Sequence, residues 1–252
     1  MNKINYSKLL STKLIAALFL LLSVYSFNTQ VYAHDGGRVL LYHSVSKEIT
    51  DTNIATLMPF ETFEWQMRFL RDAGYTAVTV SEMFESLSEG TLPEKTVAIT
   101  FDDGYLNIYE EVFPLLKELG FPATTYIVGR TIDAPKSLTG EMLREMYEAG
   151  WEIGSHSMSH GDLPSTEDLN YEICFSRQAI SSASGIPLED VVSFAYPYGS
   201  ADERTMTKVY KCGFKNGGGL GNMLVTSNSN KYYFARYSMY ADTSLEAFEK
   251  LF

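Results

Sequence analysis

Cysteine is nearly absent from this sequence. Two residues in 252, Cys174 and Cys212, exclude a disulfide framework. They could pair in an oxidising compartment or lie apart as buried thiols. Histidine is scarce too, at four residues: His34, His43, His156 and His160. Basic charge is in deficit, 20 Lys and Arg against 31 Asp and Glu. So acidic a chain argues against nucleic acid or other anionic polymers as partners and leaves neutral or cationic substrates open. There is no internal repeat and no low-complexity tract, and only one long apolar run.

That run opens the chain. Lys3, Lys8 and Lys13 precede an apolar stretch over 14–27, and "VYA" at 31–33 is a small-residue cleavage signal. The layout is that of a secretory signal peptide over residues 1–33; an uncleaved anchor is the alternative. Removal shifts the formal charge from −11 to −14, with 17 basic and 31 acidic side chains remaining. The expected mature chain, 34–252, is long enough for one large domain with a sizeable core.

Short apolar runs then alternate with helical periodicity. Strands are expected over 38–45, 75–80, 96–101, 121–129, 151–155, 191–196 and 233–240. Helices are expected over 59–74, 82–90, 109–120, 139–150, 165–185, 202–214 and 244–252. Phe63, Met67 and Leu70 set the period of the first helix, and Gly74 stops it. Ser81 and Thr139 are expected caps, Ser165 and Asp168 have capping-box spacing, and Pro114 either kinks its helix or restarts it. Such alternation implies right-handed βαβ units and a parallel sheet, near the count of a TIM-like barrel, where active sites gather at the C-terminal strand ends.

The reactive residues fall at those ends. His43 ends "LLYH", Asp102 and Asp103 end "AITFDD", His156 ends "EIGSH", His160 follows four residues on, and "FAYPYG" ends in Pro197, Tyr198 and Gly199. A carboxylate with two imidazoles is a facial metal triad with open positions. Alone, the histidines could be loop residues and "DDG" a turn; together they suggest that one aspartate ligates a cation while the other takes a proton from water. His43 is a candidate general acid. Amides of the "PYG" turn could stabilise an oxyanion, or the turn could merely end a strand.

At "TFDDG", "HSMSH" and "PYG", in that order, the chain resembles the polysaccharide deacetylases of carbohydrate esterase family 4, over roughly 38–252. The resemblance implies a distorted (β/α)7 TIM-like barrel and removal of acetyl groups from an acetylated polysaccharide. It also implies a divalent metal, zinc first, with cobalt, nickel or iron as alternatives. It makes Asp102 the base, Asp103, His156 and His160 the metal ligands, and the amide of Tyr198 the oxyanion donor. No histidine follows His160, and "LLYHSV" resembles the circularly permuted branch that contains the poly-β-1,6-N-acetylglucosamine deacetylases; His43 then supplies the acid. That branch favours this polymer, with peptidoglycan, chitin oligomers and acetylated xylan still open. No protein partner is implied, and association with the cell surface is compatible with the signal. One departure stands out. Many members carry an arginine just before "PYG", where this chain has Ala195 and Tyr196. Arg236, expected at the end of the last strand, could orient the base from another direction or lie at the barrel rim. An inactive carbohydrate-binding barrel and a glycosidase with paired carboxylates are the competing readings.

Overall fold

The structure, a computed structural model, describes residues 36–48 and 56–252. The expected signal segment and His34 lie outside them. No helix among the described residues is long and apolar enough to cross a membrane.

The chain runs as β1 (Arg38–Tyr42), β2 (Ser44–Ser46), β3 (Leu57–Pro59), α1 (Phe60–Asp72), β4 (Thr76–Val78), α2 (Val80–Glu89), β5 (Thr96–Phe101) and α3 (Phe113–Leu119). It continues as β6 (Thr124–Ile127), α4 (Gly140–Glu148), β7 (Glu152–Ser155), α5 (Ser176–Ser184), β8 (Ser193–Ala195), α6 (Glu203–Lys211), β9 (Asn216–Gly218), β10 (Tyr237–Ser238) and α7 (Leu245–Glu249).

Every pairing between these strands is parallel, in the order β10-β1-β5-β6-β7-β8-β9, with β4 flanking the first half of β5. The two outer strands meet through the segment before β10. Gly219 N donates to Phe234 O (2.8 Å) and Phe234 N donates to Gly217 O (3.1 Å). The sheet therefore curls into a small barrel, and all its strands end on one face. Full burial explains why the strands read as continuous apolar runs rather than alternating ones: all six residues of β5 are buried. Outside the sheet, α1 buries Phe63, Met67 and Leu70, and Trp151, stacked on Phe101 of β5 with ring centroids 5.7 Å apart, meets Phe113 of α3 edge to face at the same distance, joining the strand layer to that helix.

Several local expectations change. The strand over 38–45 breaks at His43, and β2 leaves the barrel to pair with β3. Thr79, not Ser81, caps α2: its side chain accepts from Glu82 N while the Glu82 carboxylate accepts from Thr79 N–H. Ser81 is drawn instead to the buried Glu152 carboxylate. Pro114 restarts the helix, in the first turn of α3 after a π-helical segment over Ile108–Val112. The long helix over 165–185 is interrupted, with a π-helical segment over Asn170–Phe175 before α5. Its capping box is not formed: Asp168 accepts from Tyr171 N, and Ser165 bonds Asp162. The glycine-rich β9 went unpredicted because "NGG" carries no apolar pattern. Cys174 and Cys212 form a disulfide, which ties the segment before α5 to the end of α6.

Candidate active site

The strand ends bring Asp102, Asp103, His156 and His160 together. Asp102 N donates to Tyr42 O (3.0 Å), so the ladder of β1 and β5 extends one step and sets His43 beside the first aspartate. The chain then turns sharply, with Asp103 (φ 74°) and Gly104 (φ 76°) both left-handed. Asp tolerates that conformation better than most side chains, which is how adjacent carboxylates can face one site. His156 continues the β7 ladder, donating its N–H to Ile127 O (2.8 Å). A turn follows in which Ser157 and His160 are left-handed (φ 64° and 60°) and Ser157 Oγ accepts from His160 N (2.9 Å).

His156 Nε2 lies 3.7 Å from both Asp102 Oδ2 and Asp103 Oδ1, and His160 Nε2 lies 3.4 Å from Asp103 Oδ1. One donor atom each from Asp103, His156 and His160 falls within 4.8 Å of the others. His156 Nδ1–H donates to Ala195 O (2.8 Å), which leaves the Nε2 lone pair directed into the cluster. Burial lowers the His156 pKa, against the two aspartates that raise it, so the ring is held neutral, as a ligand must be. His160 Nδ1 sits 3.1 Å from the Tyr198 hydroxyl, and its Nε2 is likewise turned inward. Two imidazoles and one carboxylate form a donor set that fits a divalent cation.

Asp102 is fully buried, and Arg236 holds it with two parallel bonds, Nη1 to Oδ1 (2.7 Å) and Nη2 to Oδ2 (2.9 Å). Burial is the largest single influence on Asp102 and would raise its pKa; the Arg236 charge and hydrogen bonds, together with contributions from His156 and His43, outweigh it and bring it down to about 2. Arg236 also donates from Nε to Gly219 O (3.1 Å) and lies over the Tyr126 ring, 5.3 Å from its centroid. It is 1% exposed and so is not a rim residue. Nor does it end the last strand: it precedes β10, and its long side chain runs through the barrel interior to reach Asp102.

"PYG" forms a tight turn in which Gly199 N donates to Tyr196 O (2.9 Å) and Ser200 N to Pro197 O (3.0 Å). Tyr198 is left-handed (φ 62°) and 66% exposed at the mouth. Gly199 suits this turn, being left-handed itself (φ 65°) and lying where a Cβ would meet the Leu220 side chain at 2.4 Å. Three contacts were not foreseen. The Tyr105 hydroxyl lies close to Asp103, and its pKa is pushed up to about 12 by burial and then by that carboxylate. The Tyr198 phenol reaches His160. The Ala195 carbonyl sets the His156 tautomer. Only Tyr105 had a visible signal, as the aromatic that closes "DDGY".

The curled parallel sheet and its helices match the deacetylase type of (β/α)7 barrel. Residues 89–217 match the family model described as polysaccharide deacetylase, more than half of the chain, and the chain belongs to that family. YxkH of Bacillus subtilis, itself named for polysaccharide deacetylation, is 31% identical over 182 residues, 71% of this chain. This chain spans 62% of the length of YxkH. The poly-β-1,6-N-acetyl-D-glucosamine N-deacetylase of Staphylococcus aureus is 27% identical over 232 residues, covering 84% of this chain and 75% of that one. Among solved structures, Streptococcus pyogenes deacetylase PplD, in complex with acetate, superposes with a TM-score of 0.78 at 21% identity, over 86% of this chain and 97% of that one; at that identity the likeness is one of fold.

Proposed function

We propose that this chain is a metal-dependent hydrolase that removes N-acetyl groups from a polysaccharide containing N-acetylglucosamine, with the β-1,6-linked polymer as its substrate. The observation that carries this reading is the convergence of the Asp103, His156 and His160 donor atoms beside an arginine-held Asp102. The name of the Staphylococcus aureus relative and the position of His43 ahead of the other site residues support the choice of polymer.

Asp103, His156 and His160 would hold the cation, with zinc first, as the family resemblance implies, ahead of cobalt, nickel or iron. Bound there, it supplies Lewis acidity toward water and toward the acyl oxygen. Asp102 accepts the proton of the attacking water. Its Arg236 pairing keeps it ionised and oriented, but also makes it a weak base, so it depends on a water of raised acidity. The Tyr198 main-chain N–H donates to the developing oxyanion. His43 delivers a proton to the amide nitrogen as the C–N bond breaks. A C–O bond replaces the C–N bond, and acetate and a glucosamine amine leave. Both aspartates face the same histidine nitrogen rather than flanking a sugar, an arrangement unlike a glycosidase pair.

Residues 34–252 form the deacetylase domain, and residues 1–33 direct it out of the cytoplasm, to secretion or the cell surface. The Cys174–Cys212 bridge supports that location, because disulfides persist in oxidising compartments. Acetate release tests the proposal across β-1,6-linked N-acetylglucosamine, peptidoglycan, chitin oligomers and acetylated xylan, each with a chelator and with added zinc. Zinc-restored release from the β-1,6 polymer is expected; none from any glycan would refute the activity.

A further inference from the structure

The His156–His160 turn needs something to hold it. Ser157 and His160 are both left-handed without being glycine, a conformation that persists only where the surroundings impose it. Between the two histidines, Met158 N donates to Glu172 O (2.9 Å). Ser159 donates twice to the Glu172 carboxylate, from N to Oε2 (2.9 Å) and from Oγ to Oε1 (2.6 Å). A single residue therefore accepts three hydrogen bonds from the two positions just before His160.

Glu172 is 6% exposed. No lysine or arginine among the described residues forms an ion pair with it. A buried carboxylate without a counter-cation is costly unless its hydrogen bonds repay the lost hydration; here all those bonds go to the turn. Its own support is firm. Glu172 lies in the π-helical segment Asn170–Phe175, and Cys174, two residues on, is bridged to Cys212 at the end of α6. Irregular helical turns of this kind frequently sit at functional sites.

We propose that Glu172 is a positioning residue that fixes the His156–His160 turn in its ligating conformation, and so sets the affinity of the metal site. The inference rests on the reading that Asp103, His156 and His160 hold a cation. A brace for the fold alone would lower stability and leave metal affinity unchanged. A brace for the ligands changes affinity and ligand geometry.

The test uses the full chain stripped of metal, titrated with Zn²⁺ against a chromophoric chelator, and with Co²⁺ for its visible spectrum. Glu172→Ala is expected to weaken Zn²⁺ binding about 10–100-fold, the usual effect of losing an outer-shell partner, and to shift the Co²⁺ bands. Glu172→Gln recovers most of the affinity, because its amide can still accept from Ser159 N and pair with Ser159 Oγ. Where the alanine variant does not fold, Glu172→Asp replaces it: it keeps charge and burial but withdraws the carboxylate by one methylene, and weaker Zn²⁺ binding is again expected. Wild-type affinity and an unchanged Co²⁺ spectrum in a folded Glu172→Ala or Glu172→Asp protein would overturn the proposal. A wild-type chain that binds no Zn²⁺, or an Asp103→Ala variant that binds it equally well, refutes instead the metal-site reading beneath it.

Discussion

Arg236 and Asp102, 134 residues apart in the chain, meet inside the barrel through two parallel hydrogen bonds of 2.7 and 2.9 Å. Fork-to-carboxylate geometry fixes the plane of the aspartate as well as its charge. Arg236→Met keeps much of the bulk but leaves a buried carboxylate unpaired. Urea unfolding in the presence of a chelator should show a loss of about 3–5 kcal/mol, the usual result of breaking a buried pair from one side. Unchanged stability would mean that the pair contributes nothing beyond orientation.

The two aspartates should separate by phenotype. Asp102→Asn keeps a hydrogen-bonding group but cannot take a proton, so turnover should vanish while metal content stays at the wild-type level. His160→Ala should lose the metal and activity together, because a three-ligand site missing one ligand binds poorly. Elemental analysis of both proteins decides the matter. Metal lost from the Asp102 variant would mean that both carboxylates ligate.

His43 is placed by backbone register, one step past the β1 ladder and against Asp102. Expelling an amine needs a proton delivered to nitrogen, and a positioned acid is typically worth about 10²–10⁴-fold. His43→Ala should lose that much on an N-acetylated glycan and much less on an activated acetyl ester, whose phenolate leaves without help. Equal losses on both substrates would make His43 a structural residue.

On the opposite face of the barrel, the Glu152 carboxylate is buried and accepts from Ser81 N (3.1 Å) and Thr124 Oγ1 (3.0 Å). Desolvation raises its pKa above the ordinary 4.5, and the hydrogen bonds from Ser81 and Thr124 only partly oppose this. A raised folded-state pKa contributes stability that is present below the unfolded value and is lost as pH rises through the folded one. Glu152→Gln removes the titration while keeping most of the bonds. Relative to this variant, the wild type should lose stability as pH is raised from 4 toward neutrality, as read by melting temperature in matched buffers. Parallel curves would show that the carboxyl is not perturbed.

Much of this was legible in the sequence. The strand and helix alternation points to the barrel, because most of its buried strands, β5 above all, are short apolar runs bounded by turn residues, β9 being the exception. "TFDDG", "HSMSH" and "PYG" marked strand ends that the parallel sheet necessarily brings to one face. Boundaries read less well, since local hydrogen bonding moves them: Thr79 outcompetes Ser81 as a cap once Ser81 is drawn to Glu152. The sequence left Arg236 open between orienting the base and lying at the rim, since nothing local tells that a side chain before β10 will run through the barrel to Asp102. Contacts made by main-chain groups, such as Ala195 O on His156 and Glu172 O on Met158 N, leave no mark in the residue pattern at all.

The central claim is that this site hydrolyses an acetamide and leaves the sugar chain intact. Mass spectrometry of a defined β-1,6-linked N-acetylglucosamine oligomer, incubated with the zinc-loaded chain, tests it most directly. Successive loss of acetyl groups at constant chain length, blocked by chelator and absent in Asp102→Asn, is the result this account predicts. Shortened oligomers, or an oligomer that binds the chain and is recovered unchanged, would contradict it.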